Sequence, residues 1–153
     1  MFIISLSDYN QTLWEDETTN RMLEAEKLFG EMLNNVFFRN TPFIVFFNKL
    51  DLFKEKLKKV SLEVAYKEYS LPKEAETDPA KEKHALWVTS EVRSLLNFVS
   101  SRDFVTTQFK SRNLNPDRKI YDFETTATDT DLVNNVMTAV QTIIFKDILR
   151  MLL

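Results

Sequence analysis

The chain has 153 residues and a mass of 18.0 kDa, enough for one domain with a real hydrophobic core. Its net charge of −3 gives no electrostatic ground for nucleic-acid binding, and the absence of cysteine removes disulfides, thiolate zinc sites and cysteine nucleophiles. Glycine excludes more: Gly30 stands alone where average usage would give roughly ten, so no glycine-rich loop can wrap phosphate with backbone N–H groups.

Phe2-Ile-Ile-Ser-Leu6 reads as a short buried strand. Ser7 to Thr12 is turn-like, and the acidic Glu15-Asp16-Glu17 precedes Thr18 and Thr19, which have the chemistry of helix N-caps. Met22, Ala25, Leu28/Phe29, Met32/Leu33 and Val36 then recur at helical spacing, predicting an amphipathic helix over residues 18–35. Phe43 to Phe47 is a second strand, and its unbroken apolar run predicts cover on both faces, as in a parallel α/β sheet. Leu52 to Lys59 reads as a short helix whose lysines form a solvated face, and Val60 to Tyr69 reads as irregular.

Leu71 to Asp78 is charged and reads as a surface loop, and Asp78-Pro79 offers a helix start. A helical pattern follows through Leu86, Val88, Val92, Leu95/Leu96 and Val99, with a second helical piece near Asp103–Lys110. Ile120 to Thr125 is the third strand. Leu132, Val133, Val136, Met137, Val140, Ile143, Ile144 and Ile148 trace one face of a long C-terminal helix. No apolar run spans a bilayer, and the N-terminus lacks the basic region of a signal peptide.

Strands separated by helices imply right-handed parallel crossovers, with a ligand outside the carboxyl ends of the strands. Two segments fall there: Asn48-Lys49-Leu50-Asp51 after the second strand and Thr125–Thr130 after the third. The first set suits a guanine ring. Asp51 can accept from the N1 and exocyclic N2 edge, Asn48 offers an amide to the opposite edge, and the Lys49 stem can lie along the ring face. A base lacking either donor would leave a buried carboxylate unpaired, which makes such a grip selective. The backbone N–H of Ala127 could donate to the guanine carbonyl oxygen, with small side chains around it allowing close approach. The plainer alternative is a charged loop after a strand. His84 in Lys81-Glu-Lys-His84 reads as a solvated surface residue, Glu15-Asp16-Glu17 as a helix-start cluster, and Trp14 and Trp87 as packing or partner contacts.

Taken in order, Ser5–Gln11, Glu15–Met22, Phe43–Phe53, Lys58 through Tyr69, Ile120-Tyr121 and Thr125–Thr130 resemble the C-terminal half of a heterotrimeric G-protein alpha subunit. The resemblance implies an α/β fold: part of a Ras-like, P-loop-GTPase-like parallel sheet of about three strands, flanked by helices, with a long C-terminal helix. It implies one domain piece over residues 1–153, with an enlarged insertion at about 72–103. Guanine contacts would come from Asn48, Lys49, Asp51, Thr126 and Ala127. The last helix, through Ile148, Leu149, Leu152 and Leu153, would meet a G-protein-coupled receptor.

The implied ligand is GTP or GDP, gripped here at its guanine end, with magnesium in the parent protein. The implied partners are the beta-gamma complex, a receptor and a downstream effector facing the 18–35 helix and the segment after it. The implied place is cytoplasmic, at the inner face of the plasma membrane through the heterotrimer. The family hydrolyses GTP, but its phosphate loop, magnesium-binding Ser and Thr, catalytic Arg and Gln, and helical domain would all lie upstream of Met1. A non-catalytic interaction module, engaging receptor or effector without nucleotide turnover, is the alternative. In the third strand Glu124 stands where the family has an apolar residue, which moves a charge to the opposite face, and Thr126 replaces a cysteine. The first strand should present an unpaired apolar edge.

Overall fold

A computed structural model describes residues 1–71, 90–126, 137–138 and 140–146. Three parallel strands, β1 (Phe2–Ser5), β2 (Phe43–Asn48) and β3 (Ile120–Glu124), lie side by side in that order. The register sets Ile4 beside Phe47 and Ser5 beside Asn48 on one side of β2, and Phe46 beside Phe123 on the other. β2 is therefore the middle strand, as its apolar run predicts.

Three helices cover one face. They are α1 (Arg21–Leu33), α2 (Leu50–Leu57) and α3 (Ser90–Ser111). Their Met22, Phe29, Phe53, Leu57, Val105 and Phe109 bury against Ile4, Phe43, Val45 and Phe47. The opposite face carries a smaller cluster, in which Phe46 stacks on Phe123 at 5.7 Å between ring centroids and Val140 of the C-terminal helical residues packs with them. Period-2 alternation along β2 sends its odd residues to the first layer and its even residues to the second.

Local chemistry moves several predicted boundaries. The N-cap of α1 is Asn20, whose Oδ1 accepts from the backbone of Met22 and Leu23 at 2.8 and 3.3 Å. Thr18 and Thr19 are not caps, because their hydroxyls donate to the Asp16 carboxylate at 2.6 and 2.5 Å and close the preceding turn. Those two hydroxyls, Thr18 foremost, pull the Asp16 carboxyl down to about 2. α2 begins at Leu50, taking Asp51 into its first turn. The stretch after it is less irregular than its sequence suggests: a 3-10 turn at Leu62–Val64 carries Leu62, Tyr66 and Tyr69 into the core.

The two helical pieces expected before Lys110 are one helix over their described part. Nothing between Val99 and Asp103 breaks it, and Ser101 is buried, its hydroxyl donating to Asn97 Oδ1 four residues back at 3.1 Å and accepting from the Tyr69 hydroxyl at 2.9 Å. The expected helix start at Asp78-Pro79 lies outside the described residues, as does His84. Among the described residues β1 pairs on one side only, and Ile3 on it is 59% exposed.

One buried charge ties the layer together. Glu26 of α1 is 1% exposed and accepts from Arg112 Nε and Nη2 at 2.6 and 2.5 Å and from the Tyr66 hydroxyl at 2.8 Å. Burial, with the Glu26 charge beside it, drives the Tyr66 phenol far above its ordinary value. One turn along α1, Gly30 faces the Arg112 side chain, and a Cβ there would meet Arg112 Cβ at 3.4 Å, an ordinary contact.

Two stability outcomes follow, both readable by urea denaturation. Arg112→Met leaves the Glu26 carboxylate with the Tyr66 hydroxyl alone and should cost about 2–3 kcal/mol, below the roughly 3–5 kcal/mol typical of breaking a buried pair because Arg112 is half exposed. Gly30→Ala should be neutral or stabilising by up to about 1 kcal/mol, since helix propensity rises and the space exists.

Candidate functional site

β2 passes into α2 through a single residue. Lys49 makes that turn in the left-handed conformation, with φ 62 and ψ 40, and is the one non-glycine residue with positive φ among those described. The cost is about 1–2 kcal/mol for a residue with a Cβ. Hydrogen bonds hold the turn there. The Asn48 side-chain oxygen accepts from the Lys49 backbone N–H at 2.7 Å, and the Lys49 carbonyl accepts from Phe53 in the first turn of α2.

Thr125, which follows β3 and is 5% exposed, closes the same turn from the other side. Its N–H donates to the Phe47 carbonyl at 2.9 Å, its carbonyl accepts from Leu50 N–H at 3.3 Å, and its hydroxyl donates to Asn48 Oδ1 at 3.3 Å. With its oxygen engaged twice, the Asn48 amide is oriented so that its two Nδ2 hydrogens meet no described acceptor. Asp51, exposed in the first turn of α2, makes no hydrogen bond or ion pair with any described residue. A donor and a carboxylate acceptor thus stand three residues apart at the carboxyl end of the middle strand.

The end of β1 contributes as well. Asp8 lies 3.8 Å from Lys49 Nζ and accepts from the Ser7 hydroxyl at 3.2 Å. Lys56 on α2 donates to the Ser7 carbonyl and to Asn10 Oδ1 at 2.7 and 3.0 Å. Tyr9 is fully buried beneath them, donates to the Val60 carbonyl at 2.6 Å, and is pushed up to about 12 by burial. Neither Asp8 nor Lys56 was expected at the site. The rule that places ligands beyond the carboxyl ends of parallel strands applies to β1 as much as to β2, and would have pointed to Ser5–Asp8.

Of the sequence-predicted residues, Asn48, Lys49 and Asp51 share this turn, and Thr126, half buried, directly follows Thr125. Ala127 lies outside the described residues, as do Ile148, Leu149, Leu152 and Leu153. The arrangement can present one amide donor, one carboxylate and an ammonium-tipped stem to a flat polar ring. Among the described residues no group of three or more His, Cys, Asp or Glu could hold a metal ion, and no helix is long and apolar enough to cross a membrane.

The sequence model of the G-protein alpha subunit family matches residues 1–144. The chain is 36% identical over 146 residues to the guanine nucleotide-binding protein alpha-2 subunit of Caenorhabditis elegans, covering 95% of this chain and 35% of that protein. It is 37% identical over 150 residues to the alpha-17 subunit of the same nematode, covering 97% and 36%. Its match to the alpha-3 subunit is 37% over 140 residues, covering 92% and 33%. The chain therefore spans about a third of the length of the curated relatives it matches.

The strained turn gives its own test. Lys49→Gly should unfold at the same or higher urea concentration than the parent, because glycine adopts this φ without strain. Lys49→Val should lose about 2 kcal/mol, since a β-branched residue is poorly accommodated there. Equal stabilities for the two variants would contradict the strain.

Proposed function

The chain belongs to the G-protein alpha subunit family, and from that premise we propose that its β2–α2 turn reads the guanine base of GDP and GTP. Asp51 accepts from the N1 and N2 edge, and the Asn48 amide donates to the opposite edge. The Lys49 stem lies along the ring, while Thr126 and the Ala127 backbone N–H close over the carbonyl side. The observation that supports this reading is the orientation of Asn48: two internal hydrogen bonds consume its oxygen and leave its nitrogen to donate. The same two bonds hold the left-handed turn at Lys49, so the turn comes with a donor already aimed outward.

In this reading the whole protein is a signal transducer. A receptor engages the last helix through Ile148, Leu149, Leu152 and Leu153 and displaces the Thr125–Thr128 loop, loosening the nucleotide. The beta-gamma complex holds the protein at the inner face of the plasma membrane, and an effector meets α1 and the segment after it. Phosphate contact, magnesium coordination and GTP hydrolysis are assigned to parts of such a protein outside these 153 residues. The glycine count supports that division, because backbone cradling of phosphate requires a loop this chain cannot form.

A second reading has an observation of its own. Val36 and Phe37, on the 3-10 turn at Val36–Phe38, are 74% and 87% exposed, large apolar side chains at the opposite end of the sheet from the turn. They fit an interaction module that meets a protein partner without turning over nucleotide.

Calorimetry with GDP and with xanthosine diphosphate separates the two. Guanine reading predicts measurable GDP binding. Asp51→Asn should then lower GDP affinity by about tenfold or more and raise xanthosine diphosphate affinity, because an amide can donate where the carboxylate only accepted. No heat with GDP at high protein concentration would remove the autonomous nucleotide reading and leave the interaction module.

A further inference from the structure

Strand β3, at the edge of the sheet among the described residues, is fastened to α3 by ion pairs. Register places Asp122 beside Val45 and Glu124 beside Phe47, so both acids lie on the sheet face that α3 covers. Apolar packing would be expected there, but α3 answers with cations. Lys110 Nζ lies 2.8 Å from Asp122, and Arg102 meets both oxygens of Glu124, Nε at 3.3 Å and Nη1 at 3.5 Å. Arg102 is further placed by Asp103 at 2.8 Å and by the Phe98 ring, 6.0 Å from its guanidinium carbon.

Glu124 is covalently followed by Thr125, which brackets the guanine-reading turn through its N–H, carbonyl and hydroxyl. The ladder with β2 sets the register of β3, and the contact of Glu124 with α3 adds a second constraint on where Thr125 meets Asn48. We propose that Arg102 and Glu124 are positioning residues for base recognition: their ion pair is a latch through which α3 holds the Thr125–Asn48 contact in register. The inference rests on the guanine reading of that turn and adds to it a lever on α3. The latch acts on the orientation of the Asn48 amide and touches no ligand itself. Because both partners are a quarter to a third exposed, its hold weakens as salt screens it.

The test uses the full chain with guanosine, an uncharged probe whose own binding carries little salt dependence. Its dissociation constant is measured calorimetrically in the parent, in Arg102→Glu, in Glu124→Arg and in the exchanged double variant Arg102→Glu/Glu124→Arg, at low and high salt. The Asn48 side-chain and Thr125 amide resonances are followed in parallel. The latch predicts that each single variant shifts those resonances and weakens guanosine by about two- to fivefold. The exchanged pair should restore both, and salt should weaken the parent but not the single variants. Unmoved Asn48 and Thr125 resonances in folded single variants would overturn the latch, as would an exchanged pair that restores nothing. A parent chain that binds no guanosine would overturn the guanine reading instead, and the resonances would still decide the latch.

Discussion

The structure depends on strand β2 being covered on every side. Five consecutive apolar residues, Phe43 to Phe47, cannot face water, and parallel pairing to β1 and β3 satisfies their backbone while helices take their side chains on both faces. Because all three strands run the same way, their carboxyl ends lie together. The side chains that follow them, Asp8, Asn48–Asp51 and Thr125, converge without any long loop to bring them there.

That convergence explains why the site is strained and why the strain persists. With no glycine at position 49, the strand must turn into α2 through a lysine in the left-handed region. The cost is met by the Asn48–Lys49 hydrogen bond and by three bonds from Thr125. The same bonds orient the Asn48 amide, so the forces that hold the turn also prepare it as a donor. In the proposed reading, a backbone fixed in this way spares the entropy that a mobile loop would lose on closing over a base.

The three strands were legible in the sequence because their period and composition are local signals: apolar runs at Phe2 and Phe43, and the β-prone Ile120-Tyr-Asp-Phe before Glu124. The amphipathic stripe from Met22 to Leu33 likewise located α1. Competition between neighbours was not legible. Asn20 caps α1 because Asp16 had already taken the hydroxyls of Thr18 and Thr19. Pairings across long sequence distances were invisible too. Glu26 with Arg112, Asp8 with Lys49 and Arg102 with Glu124 leave no periodic trace, since nothing in the local sequence of either partner points to the other. The NKxD-like turn was recognisable as a candidate site from its residue types, but the left-handed Lys49 and the fixed orientation of Asn48 exist only once β3 is beside it.

Family membership and the proposed reading meet at this turn: the relatives are named for guanine nucleotides, and in that reading the Asn48 amide nitrogen and the Asp51 carboxylate, which engage no described residue, take the two edges of the base. The most direct measurement is a crystal structure of the chain grown with GDP. The account predicts the Asp51 carboxylate at hydrogen-bonding distance from N1 and N2 of the base, with Asn48 Nδ2 donating to the opposite edge. A base seated elsewhere, for example in the cleft between the 34–39 and 114–118 loops, would contradict it.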